Sequence, residues 1–246
     1  MMNDTFDIGL SPLEESRFGC RTARAKGVTS NNLPIVLDYC RNNGIRFLIA
    51  RCHVNETRAA QVMEKEGFFL TDTLVYYRRN LLQPLPLPMS ATEIRPLQNG
   101  EVMDVSRVAR EAFQNYFGHY HADPYLDKAK CDETYISWAV NSSQNRDEDH
   151  ELLVAVKDGT ICAFSAMRLN SPQEAEGVLC GVAKRARHQK IYTDLIIESL
   201  KWCMMKQRSQ MIISTQINNM VVQKVWMLLG FEFHAAYYTF HRWFNT

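Results

Sequence analysis

Leu81–Thr92 reads LLQPLPLPMSAT, with prolines at 84, 86 and 88. Proline has a fixed φ and no backbone N–H, so three at alternate positions cannot continue a helix or a central strand. The stretch reads as an extended linker. It parts the 246 residues into units of 1–82 and 93–246, joined by 83–92. Charge does not shift across it: residues 1–90 carry 11 basic and 9 acidic side chains, and the remainder 17 and 18.

The first unit reads as a strand at 18–26, a helix at 31–43, a strand at 45–52, a helix at 55–66 and an aromatic strand at 68–79. Asn55 is the expected N-cap of its second helix and Gly67 the stop. The second unit starts with a short strand around Ile94 and helices near 98–114 and 130–143. A hairpin at 151–169 turns at Asp158-Gly159, and a strand at 176–183 leads into a helix. A strand at 210–217, a helix at 219–229 and a strand at 231–244 close the chain. The expected class is α/β with a mixed, mostly antiparallel sheet.

Segments 45–79 and 208–242 share one plan. Asn55 matches Asn218, Gly67-Phe68 matches Gly230-Phe231 and Arg79 matches Arg242, all at one offset. Any strand–helix–strand unit has some of this plan, but similarity at a fixed offset favours common architecture. The first unit is then a smaller α/β domain resembling a truncated copy of the second.

A net charge of +1 argues against a dedicated nucleic-acid binder. No apolar run reaches the ~18 residues that span a bilayer. The opening MMNDTFDIGL has acids where a secretion signal has bases. Seven scattered cysteines without a CxxC pair suit reduced thiols, with neither a disulfide framework nor a zinc site. The expectation is a soluble cytoplasmic protein with no metal, nucleic-acid or membrane partner. Its oligomeric state is open, a homodimer being one option.

The strand at 176–183 runs through KRARHQK into a helix, so free N–H groups at the helix start stand beside Lys184, Arg185, Arg187 and Lys190. That combination suits a phosphate, and a solvated basic turn is the plain alternative. The run Val182 to Tyr192 resembles the V-x-P-x-x-R-x-x-G-x-G/A loop of the GCN5-related N-acetyltransferases. It keeps Val182, Arg187 and the spacing, but Lys190 and Tyr192 stand at the two glycine positions. Asn219-x-x-Val222-x-x-x-Trp226-x-x-Leu229-Gly230-Phe231 holds the rest of the family frame, with Trp226 at a position where members carry tyrosine. The resemblance implies a coenzyme A thioester, acetyl-CoA or 3-hydroxybutyryl-CoA, in the gap between two splayed strands. Its expected contacts are Cys180, Val182, Arg187, His188, Gln189, Lys190, Ile191, Tyr192, Asn219 and Trp226. Asn219 is equally a helix cap.

Less common features are RFGCRTAR, GIRFLIARC, EKEGFFLTDTLVYYRR, HYHADPYL at 119–126 with Tyr135 and Trp138, and the terminal TFHRWF. They are similar to the TDP-fucosamine acetyltransferase family, which implies acylation of the amine of a dTDP-linked amino-dideoxyhexose for surface polysaccharide. The implied proton donor to sulfur is Tyr238, with Tyr237 on the opposite strand face; a packed aromatic is the alternative for Tyr238. His119, His121 and Asp123 are candidates for proton removal, and His119, His121, Tyr125 and Tyr237 for substrate contact. His241 reads as a structural imidazole bonded to backbone, and Tyr76 and Tyr77 first as core. The first unit lacks a counterpart of VAKRARHQK, so it is expected to bind no CoA and to wall the sugar pocket. The rival readings are an acetyltransferase of a protein N-terminus or another amine, and a catalytically degenerate acyl-CoA-binding protein.

Overall fold

In a computed structural model the described residues are 5–244. The reading of MMNDTFDIGL falls partly on residues 1–4, outside them. The chain first forms β1 (Asp7–Leu10) and α1 (Pro12–Phe18), where the sequence pattern had suggested no element before 18. Pro12 presets φ at the helix start and Gly19, at φ 72, ends it. Then come β2 (Thr22–Lys26), α2 (Leu33–Asn42), β3 (Phe47–His53), α3 (Thr57–Lys65) and β4 (Phe69–Asn80). Asn55 does not cap α3; Glu56 holds the cap position and makes no side-chain bond there. Gly67 does end the helix, at φ 81.

After the linker stand β5 (Glu93–Pro96), α4 (Val102–Ala112), α5 (His119–Ala122) and α6 (Lys128–Gln144). There follow β6 (His150–Lys157), β7 (Thr160–Leu169), β8 (Glu174–Val182), a 3-10 turn at Lys184–Ala186 and α7 (Ile191–Met205). The chain closes with β9 (Gln210–Gln216), α8 (Met220–Leu228) and β10 (Glu232–Trp243). The linker has no regular element, yet it is fastened. Asp194, in the first turn of α7, accepts the N–H groups of Met89 and Ser90 at 2.6 and 2.8 Å.

One mixed, mostly antiparallel sheet runs in the order β1-β2-β3-β10-β4-β9-β8-β7-β6-β5. The last strand of each repeat has crossed to the other: β10 pairs with β3, and β4 with β9. The repeat is kept in register. Tyr237 faces His53 across one pair, and the equivalent Leu74 faces Gln216 across the other. Where β4 and β10 meet, each has one extra residue at the equivalent place, Thr71 and His234. The two copies are thus related by a local two-fold at the β4–β10 pair. We propose the 1–82 and 93–246 division as one of descent, since β10 belongs to the second unit by sequence and to the first by pairing.

The arginines that close each copy follow the exchange. Arg242 lies over the Phe68 ring at 5.2 Å, and Arg79 packs against Gly230 and donates to Pro84 O at 2.7 Å. Alternate residues of β6 face opposite layers: Leu153 and Ala155 join the cluster of α7 and α8, whereas Leu152 and Val154 join that of α4. A third cluster holds α2 and α3 on β2 and β3.

Candidate active site

The parallel pair β8–β9 is hydrogen-bonded only from Glu174–Gln210 to Gly177–Ile213, after which β8 continues to Val182 without its neighbour. On its other edge Ala183 N donates to Cys162 O at 2.8 Å, so Ala183 and Gly181 face β7 in the antiparallel ladder. By alternation the main-chain groups of Cys180 and Val182 point into the gap. The first copy closes the same gap: Gly27 turns the chain at φ 60 and Val28 N bonds Arg51 O at 3.0 Å.

Beyond β8 the turn lifts into α7, whose first N–H groups have no intrahelical acceptor. Lys190 takes the N-cap position at φ 64, ψ 0. The left-handed turn that a glycine would supply is therefore present with a lysine in it. A side chain in this region costs roughly 1 kcal/mol. Lys190→Gly is expected to raise the unfolding free energy by about that much, and with it the denaturation midpoint, and to weaken acyl-CoA binding, since a cation leaves the turn. A lower midpoint would show that the Lys190 side chain holds the turn.

Tyr192 does not crowd the loop. It is half-buried among residues of the α7–α8 core, and its hydroxyl accepts the Trp226 indole N–H at 2.9 Å. That leaves the Tyr192 O–H free to donate. Asn219 is no side-chain cap; its Nδ2 donates to Thr215 Oγ1 at 3.0 Å.

All of these groups line a cleft of about 1230 Å³ that passes through the splay to the other face of the sheet. Cys180, Val182, Arg187, His188, Lys190, Ile191, Tyr192, Asn219 and Trp226 lie on it. Gln189 does not: its amide bonds Arg185 O and Lys157 outside the cleft. The far end is built from the first copy and from α6, with Arg17, Arg24, Arg51, Tyr76, Tyr135 and Trp138. Glu14 sits buried there, joined to Arg24 at 2.5 Å and to Tyr120 Oη at 2.8 Å; these charge and hydrogen-bond contacts outweigh its burial and hold its carboxyl down at about 2.

Beside Arg51 the strand β4 presents Asp72, which the sequence pattern did not single out. Burial lifts its carboxyl to about 6 against the pull of Arg51 and of hydrogen bonds from Thr73 and Gln216. Tyr116, on the cleft, donates to Gln216.

The HYHADPYL segment divides. His121 parts from His119 and Asp123, because α5 is helical and sends residues two apart to different sides. His121 turns away to Asp132, at 3.0 Å, and is off the cleft. His119 is buried and lines the cleft. Its Nδ1 meets His241 Nε2 at 2.9 Å, and His241 Nδ1 meets Asp123 Oδ2 at 2.7 Å. His241 is therefore bonded to side chains, not to backbone as its sequence setting suggested. Asp123 also accepts from Trp243 Nε1 at 3.0 Å and from Tyr125 N at 2.9 Å.

Tyr125 is exposed and rests against Trp243 and Phe69, off the cleft. Tyr237 stands on the cleft face of β10, edge-on to Tyr76 at 5.6 Å. Tyr238 faces the other way, into the cluster of α2 and α3 with Phe240. The sheet lies between it and the cleft, which removes it as proton donor. Of the other two tyrosines, Tyr77 is core and Tyr76 lines the cleft.

Among the described residues no group of three or more His, Cys, Asp or Glu is arranged to hold a metal ion, and no helix is long and apolar enough to cross a membrane.

A family model described as acetyltransferase (GNAT) family matches residues 107–231. The spore coat polysaccharide biosynthesis protein SpsD of Bacillus subtilis (strain 168) is 21% identical over 204 residues, 80% of this chain and 66% of that protein. The chain thus spans just under two thirds of that relative's length. A GCN5-related N-acetyltransferase from Sphaerobacter thermophilus superposes with a TM-score of 0.69 at 14% identity, over 96% of this chain and 76% of that one. A tandem GNAT protein from the clavulanic acid biosynthesis pathway gives 0.63 at 14% identity, over 93% and 77%. A tandem relative of the same fold fits a chain built from one full copy and one shortened copy.

Proposed function

The chain belongs to the acetyltransferase (GNAT) family and is an acyl-CoA-dependent N-acyltransferase; from that premise we propose that its acceptor is the amine of a nucleotide-linked amino sugar. One observation carries this reading. The cleft runs unbroken from the turn before α7 to three arginines of the shortened copy, Arg17, Arg24 and Arg51, of which Arg17 and Arg24 share the one Glu14 carboxylate, so their positive charge exceeds what it cancels. A site for a small neutral amine needs no such second cationic end, whereas a nucleotide sugar brings a diphosphate to it. The weak likeness to a polysaccharide biosynthesis protein points the same way. The acyl group is acetyl or a short relative such as 3-hydroxybutyryl, the sugar a dTDP-linked amino-dideoxyhexose, and the reading implies a cytoplasmic enzyme.

The amine attacks the thioester carbon, a C–N bond forms, and charge collects on the carbonyl oxygen. The Val182 amide, aimed into the gap, is the donor for that oxygen. Collapse breaks the C–S bond, and the thiolate leaves as the CoA thiol after taking up one proton. A sugar amine titrates near the α-amino range of about 8, so positioning contributes more than a strong base.

The test offers acetyl-CoA and 3-hydroxybutyryl-CoA with dTDP-linked 3-amino and 4-amino sugars, a peptide N-terminus and an aminoglycoside. Thiol release and product mass are followed. An acyl adduct on a sugar amine alone is expected. Acylated peptide or aminoglycoside would move the acceptor class, and CoA binding without any turnover would leave a binding protein.

A further inference from the structure

Three side chains, His119 and Asp123 from one short segment and His241 from the last strand, meet behind the acceptor end of the cleft, and none is accounted for by the sheet. His241 is fully buried on β10, and the equivalent residue of the other copy, Arg78 on β4, is exposed. The fold therefore does not require an imidazole at this place. Asp123 is fully buried too, with both oxygens engaged.

The bonding order fixes every proton. An ionised carboxylate only accepts, so His241 must carry its hydrogen on Nδ1, facing Asp123 Oδ2. A neutral His241 then has its lone pair on Nε2. The partner at 2.9 Å, His119 Nδ1, must in turn be the donor. This leaves the lone pair of neutral His119 on Nε2, the far nitrogen of the ring that lines the cleft.

We propose that Asp123, His241 and His119 form a relay in which His119 Nε2 takes the proton from the acceptor amine, His241 and Asp123 being positioning residues that set its tautomer. The inference rests on reading the cleft as an amine acyltransferase site. As the C–N bond forms, the proton leaves nitrogen for Nε2. The departing CoA thiolate needs one proton and takes it, directly or through solvent, which restores the neutral imidazole.

The surroundings keep both rings neutral. Burial and the neighbouring charges of His241, Arg51, Arg24 and His121 push the His119 imidazole well below its usual value. Burial also lowers His241, against the pull of Asp123. Asp123 itself is held below the usual carboxylate range by the hydrogen bonds from His241, Tyr125 and Trp243, which outweigh its burial. The other groups facing the rings are Tyr120, tilted against His119 with ring centroids 3.9 Å apart, and Phe69 and Phe47, edge-on to His241. A base with a depressed pKa is active above that pKa and lost as pH falls through it.

Two measurements on the full chain test this. Imidazole nitrogen NMR at pH 7 is expected to find His119 protonated on Nδ1 alone, and reversed or mixed in Asp123→Asn. This readout needs no substrate, so it stands even if every amine in the panel fails and the acceptor reading falls. Second, His119→Gln is expected to lower kcat about 100-fold with KM for both substrates within about twofold. It should also abolish an acid limb of kcat/KM whose midpoint lies below 6.5 in the parent protein. Asp123→Asn should cut kcat at least tenfold and displace that limb. His119 carrying its hydrogen on Nε2, or a limb that survives in His119→Gln and vanishes in Asp72→Asn, would overturn the relay.

Discussion

Val182→Pro is expected to lower kcat by roughly 10²–10³-fold, the loss that follows removal of one oxyanion donor, while Val182→Ala stays within about threefold of the parent. The contrast isolates one hydrogen. Val182 ends β8, and the ladder bonds to β7 are made by its neighbours, as the Ala183 N to Cys162 O bond of 2.8 Å shows. Proline at 182 therefore deletes an N–H that no strand uses, a place where a strand accepts proline. The side chain is half-buried and packs at the margin of the α7–α8 core, so alanine removes methyl groups and keeps the donor. Thermal denaturation of both variants checks that the fold is kept, and steady-state thiol release reads the rest. Equal rates in the two would mean that the Val182 amide does not face the reacting carbonyl.

Much of this architecture is legible in the chain because it is written locally. Runs of apolar, aromatic and β-branched residues mark β3, β4, β9 and β10, and Gly67 and Gly230 stop the helices between them at φ 81 and 77. The exchange of β4 and β10 is not legible, for a physical reason. A strand with apolar residues on both faces offers the same run to either neighbour, and only tertiary pairing chooses. The turn before α7 comes from one continuous stretch, Cys180 to Tyr192, and of the residues expected there Gln189 alone does not line the cleft. The acceptor end joins residues more than a hundred positions apart. His119, His121 and Asp123 look alike as a spaced polar set, but one helical turn sends His121 to Asp132 and leaves His119 for His241. Asp72 carries no signal beyond being an acid in an aromatic strand; its carboxyl is raised by burial, which only the assembled fold supplies, against the pull of Arg51 and Gln216. Tyr238 fails for the simplest cause, a face parity that only the observed pairing with Cys52 sets.

The repeat also supplies its own control for stability. Gly230 and Gly67 are equivalent residues, both with positive φ, but a β-carbon at Gly67 meets nothing within 4 Å, whereas one at Gly230 would stand 1.9 Å from Arg79 Nη1. Gly67→Ala should cost only the left-handed backbone penalty, about 1 kcal/mol. Gly230→Ala adds the displacement of the guanidinium of Arg79, a residue 3% exposed, whose Nη2 donates to Pro84 O at 2.7 Å. A hydrogen bond from a charged group contributes about 1.5–3 kcal/mol. The Nε of Arg79 has no partner among the described residues, so the Pro84 bond is not readily replaced. The expected total is about 3 kcal/mol, which in a chain of this size lowers Tm by roughly 6–12 °C, against roughly 2–4 °C for Gly67→Ala. Equal shifts would mean that Arg79 swings aside at no cost. The larger deficit in Gly230→Ala would show that the exchanged strand holds the two copies together through its terminal arginine, and that the linker at Pro84 is part of the same lock.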